Sequence, residues 1–74
     1  MEKNDEQLIE SLLDKDAELK RFYDEHVHLE RQITTFQEKA FLTADEQFEK
    51  KRLQKLKLAG KDRIMQILAR YRGH

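Results

Sequence analysis

Cysteine is absent from this chain of 74 residues, which removes disulfides, thiolate metal ligands and a thiol nucleophile together. Proline is absent and glycine occurs only twice, so little in the sequence breaks a long helix. Aromatic residues make up 8% of the chain, too few for a strand-rich composition. No run approaches the ~18 apolar residues of a membrane span. The start, Met1-Glu2-Lys3-Asn4-Asp5-Glu6, is charged and lacks the apolar stretch of a secretory signal. These absences set the expectation of a single domain over residues 1–74 that is soluble and cytoplasmic.

What is present is charge. Asp, Glu, Lys and Arg form 41% of the residues and balance to a net charge of zero. The balance hides a division. Residues 1–38 hold eleven acidic and five basic side chains, a net of −6, and residues 39–74 hold four and ten, a net of +6. Two oppositely charged halves point to two helices lying against each other, with charge setting orientation more than stability.

The apolar spacing agrees. Leu19, Phe22, His26, Leu29, Ile33 and Phe36 fill successive a and d positions of a heptad, with the His26 ring in the middle of the seam. Upstream, Leu8 and Leu12 continue the heptad, Ile9 and Leu13 widen it, and Lys15 interrupts it at a d position. Lys15-Asp16 is therefore a weak point in an expected first helix over about residues 5–40. Asn4 and Gln7 have capping-box form at its start. Thr43-Ala44-Asp45-Glu46 is a T-x-x-E capping box that starts a second helix, expected over about 44–72. The connection is short, so the helices are expected to be antiparallel.

The second helix presents Leu53, Leu56, Gly60, Ile64, Ile67 and Tyr71 at helical spacing, with Leu58, Met65 and Leu68 on a flank. Gly60 costs about 1 kcal/mol relative to alanine inside a helix. A hairpin folded about residue 42 sets it opposite residues 22–26, where the missing side chain is expected to make room for Phe22, Tyr23 or His26. The fold class expected is all-α: an antiparallel two-helix hairpin. Two helices alone leave Leu8, Ile9, Leu12 and the second flank partly uncovered. Dimerisation into a four-helix bundle or coiled-coil assembly is the expected remedy.

The run Leu19-Lys20-Arg21-Phe22-Tyr23-Asp24-Glu25-His26-Val27-His28-Leu29-Glu30-Arg31-Gln32-Ile33 resembles the first helix of the YdcH-like proteins. These are short bacterial proteins whose pattern there is F-x-x-L-x-x-E-H-x-x-L-[DE]-x-x-I. Their basic run L-K-K-x-K-L-x-L-K-D-E-I is similar to Leu53-Gln54-Lys55-Leu56-Lys57-Leu58-Ala59-Gly60-Lys61-Asp62-Arg63-Ile64. The likeness covers about two-thirds of the chain. Gly60 stands where that family has leucine, and Leu56 where it has a basic residue. The resemblance implies a helical hairpin of bacterial origin and supplies no activity.

No catalytic, cofactor-binding or metal-binding residues are assigned. His26 and His28 lie about 200° apart around a helix and do not share a metal. Glu25 and His28 have the E-x-x-H spacing of di-iron bundles, but the second helix brings no carboxylate to that level. His26 reads as a packing and register device, with Asp62 and Glu30 as conceivable partners. Lys50, Lys51, Lys55, Lys57 and Lys61 form a basic contact face suited to phosphates, with no aromatic among them to stack on bases. The expected function is a non-catalytic interaction or structural module. It would act through helix–helix contacts with a second copy of itself and with an unidentified protein. The competing class is a nucleic-acid-binding accessory protein that uses the basic face.

Overall fold

Three helices, not two, make up the computed structural model, which describes residues 2–73. They are α1 (Lys3–Leu12), α2 (Ala17–Gln37) and α3 (Ala44–Tyr71). Every described helix is α-type, and no strand occurs among the described residues. The two-helix expectation is corrected at the point the sequence marked as weak. Asp16 leaves the helical conformation (φ −126°, ψ 100°), and its side chain accepts from the Leu19 amide at 3.0 Å. In an unbroken helix the Leu19 amide would bond the Lys15 carbonyl; the Asp16 cap offsets the loss of that bond, and burial of Ile9 and Leu12 against the other helices favours the break.

α2 and α3 are antiparallel in near one-to-one register. Asp16 meets Tyr71, Glu18 meets Arg70, and Glu30 meets Lys57. Advancing fourteen residues along α2 thus retreats fourteen along α3. The six residues between them end in the expected capping box. The Thr43 hydroxyl accepts from the Glu46 amide and the Glu46 carboxylate accepts from the Thr43 amide, both at 3.1 Å. Lys39 pairs with the same carboxylate from the connecting segment. The expected box at Asn4 and Gln7 is absent. α1 starts at Lys3, with Glu2 at its N-cap and no side-chain capping bond, so Asn4 lies inside the first turn. At the far end Gly73 takes a left-handed conformation (φ 77°) after the last turn of α3, a conformation glycine adopts without a Cβ penalty.

The core is divided in two. One cluster gathers Ile9 and Leu12 of α1, Leu19 of α2, and Ile64, Ile67 and Leu68 of α3. The other holds Leu29, Ile33 and Leu53, with Phe36 against it. α1 folds back over the end of the hairpin, so Ile9 and Leu12 are buried and not left uncovered as expected. Leu68, expected on an open flank, is buried beneath it too, while Leu58 stays exposed. Among the described residues, no helix is long and apolar enough to cross a membrane.

Candidate interaction faces of the helices

The expected helix–helix contacts resolve into three groups. Leu19, Leu29, Ile33, Leu53, Ile64 and Ile67 are buried, and Phe22 and Phe36 are half-buried against the two clusters. Tyr71 stays half in solvent, and its contact is polar: its hydroxyl donates to Asp16 Oδ2 at 2.6 Å. That bond, followed by the one from the Leu19 amide, holds the Asp16 carboxyl below the ordinary carboxylate range. The same bond raises the Tyr71 hydroxyl above its usual value.

Leu56 and Gly60 depart from expectation. Leu56 is 41% exposed and belongs to neither cluster. The neighbouring Lys57 faces α2 instead, with Nζ 3.6 Å from Glu30 Oε1. Helical spacing allows only one of two adjacent residues to face the partner helix, and the acidic side chain on α2 selects the lysine. A Cβ placed on Gly60 meets no atom within 4 Å. No side chain of α2 uses the gap, so the packing reason expected for this glycine does not hold.

His26 sits between the two clusters with 6% of its surface exposed. Its Nε2 lies 3.3 Å from Glu30 Oε1, and its Nδ1 is buried without a hydrogen-bond partner. Of the two carboxylates considered, Glu30 is the one that meets it, while Asp62 lies exposed. Burial pushes the imidazole pKa below its ordinary value; the Glu30 charge opposes that and the Lys57 charge adds to it. Glu30 thus bridges a buried ring and a lysine of the facing helix. Phe22, one turn earlier, lies near two guanidinium groups, Arg21 at 5.2 Å and Arg63 at 5.8 Å from its ring centre. His28 and Glu25 are exposed, and no group of three or more metal-ligating side chains occurs among the described residues.

The five lysines of the basic contact face do not share one face. Lys50, Lys57 and Lys61, spaced by seven and four, are partly buried along the edge beside α2. Lys51 and Lys55, one turn apart, point outward. The outward pair lies beside Phe48, which is 71% exposed. Phe48, Lys51, Arg52 and Lys55 line a shallow hollow of about 170 Å³. A neighbouring one of about 300 Å³ is lined by Leu42, Gln47, Lys50, Lys51 and Gln54. An aromatic ring therefore does stand among the basic side chains, contrary to expectation. The sequence signal was the spacing of Phe48 from Lys51, Arg52 and Lys55, at three, four and seven residues. Phe41, in the connection, is 90% exposed. Compared with known protein families, curated proteins and solved structures, the chain finds no match.

Proposed function

We propose that the protein is a non-catalytic interaction module that works in the bacterial cytoplasm through helix–helix contacts and self-association. The resemblance to YdcH-like proteins is part of this reading. One observation carries it: Phe41, Phe48, Leu56 and Leu58 leave 41–90% of their surfaces in solvent around the first half of α3. Large apolar side chains left this exposed favour contact with another helical surface. The opposite charges of the two halves then select how the helices meet. Sedimentation equilibrium from micromolar to millimolar concentration tests the reading. A dimer that Phe48→Ser weakens supports it, and a monomer throughout overturns it.

A second reading, binding to nucleic acid, draws on the hollow between Phe48 and Lys51, Arg52 and Lys55. A ring for base stacking beside cations for phosphates is the minimum such binding needs. Gel shifts with single-stranded oligonucleotides over a salt series decide it. Binding that survives near-physiological salt and falls with Phe48→Ala favours this second reading over the first.

A further inference from the structure

The bend between α1 and α2 takes up residues 13–16, a turn followed by the extended Asp16. Leu13 keeps helical dihedral angles (φ −57°, ψ −34°), and the Asp16 amide still donates to the Leu12 carbonyl at 2.9 Å, four residues back. Asp16 is extended, the Lys15 amide donates to the same Leu12 carbonyl from three residues on at 2.9 Å, and the Lys20 amide already donates to the Asp16 carbonyl at 3.0 Å as the next helix begins. Rotating Asp16 into the helical region, with residues 13–15 settling from a turn into regular helix, joins residues 3–37 into one helix. The heptad leucines Leu8, Leu12 and Leu19 are spaced for that joined helix. In the joined form α1 has no seat within its own chain. Asp16 is level with Tyr71, the last residue of α3, so everything before it runs past the end of α3.

We infer that α1 is an exchangeable element: in a dimer Asp16 straightens, and α1 of each copy lies on the Ile64, Ile67 and Leu68 seat of the other. The inference rests on the self-association proposed above and adds to it a second contact, at the opposite end of α3 from Phe48. A second copy is the occupant because the seat already fits this helix. Ile9 and Leu12 fill it, and Asp5 pairs with Arg72 at 2.6 Å. Exchange re-forms the same contacts from another chain, with only the hinge changed. α1 is also the element most easily released. Its ten residues fall short of the ~12–15 that an isolated helix needs, and its N-terminus has no side-chain cap. Asp16 restrains the bend through the Leu19 amide and the Tyr71 hydroxyl.

The absence of cysteine makes the test direct. Chains carrying Asp5→Cys and chains carrying Arg72→Cys are made separately, mixed at high concentration and treated with a short bismaleimide. The parent protein is sedimented over the same range. Exchange predicts a covalent product joining one Asp5→Cys chain to one Arg72→Cys chain. Dimers by sedimentation without that product overturn the exchange and leave self-association standing. Monomers throughout overturn both. Asp16→Ala, which removes both restraints on the bend, is expected to raise the association constant about tenfold. An unchanged or smaller constant overturns the role of Asp16 as the hinge.

Discussion

At the three-helix end, Ile9, Leu19, Ile64, Ile67 and Leu68 lose all exposure and Leu12 keeps 9%, whereas at the two-helix end Leu29, Ile33 and Leu53 all keep 3–6%; half-buried apolar side chains flank both clusters. Both ends draw on the same residue types on the same two long helices. The difference is the short third helix, which covers the side of the α2–α3 seam that two cylinders leave open. Phe41 and Phe48 show what happens where no such cover exists. A ten-residue element too short to be stable alone thereby completes the better core of the molecule. Between the ends, His26 and Lys57 meet across the seam through Glu30, in place of an apolar layer.

Substitutions at the two ends test this contrast most strongly. Ile67→Ala is expected to lower stability within a range of about 2–5 kcal/mol, and Leu53→Ala by less within the same range. Urea unfolding followed by circular dichroism measures both. Equal losses, or a greater loss at Leu53, would remove the distinction between a three-helix and a two-helix core. A smaller effect, of opposite sign, is expected midway between the ends. Gly60→Ala meets no neighbour within 4 Å and should stabilise the protein by about 0.5–1 kcal/mol. Destabilisation there would mean that α2 approaches α3 more closely at the His26 level.

The mildest perturbation is pH. The folded-state pKa of His26 is depressed by burial, so the unfolded chain takes up a proton more readily. Stability should therefore be complete above the unfolded value near 6.5. It should fall as pH drops through that value toward the lower folded one. Asp16, Glu46 and Glu49, whose pKa values are also lowered, lose their contributions only in a more acid range, below about 4.5. Thermal melts between pH 7.5 and 5.5 isolate the histidine. His26→Gln should flatten that part of the profile, and an unaltered slope would assign it to other groups.

Much of the long hairpin is legible in the residues, because capping and heptad spacing are local signals. Thr43 and Glu46 announce the start of α3, and Leu19, Leu29 and Ile33 announce the buried stripe of α2. The fold-back of α1 is not legible in the same way. Lys15 at a d position marks an interruption, but only tertiary structure decides whether a helix bends there. Asp16 followed by Glu18 was the local sign, an N-cap with an acidic first turn. Leu56 misled because apolar spacing favours it equally with its neighbour. The choice of Lys57 depends on Glu30, twenty-seven residues away in sequence. Gly60 misled for a related reason: a missing side chain suggests a close approach, and α2 makes none. Phe48 was legible in its spacing of three, four and seven residues from Lys51, Arg52 and Lys55, which sets it on their side of the helix.

The fold-back at Asp16 supports both the division of the core and the exchange of α1. Methyl–methyl nuclear Overhauser effects in a carbon-13-labelled sample at micromolar concentration test it most directly. The bent chain predicts cross-peaks from the Ile9 methyls to those of Ile64 and Ile67, with no medium-range helical contacts spanning Asp16. Unbroken helical contacts from residue 12 to residue 20, with no Ile9–Ile64 or Ile9–Ile67 cross-peaks, would contradict it.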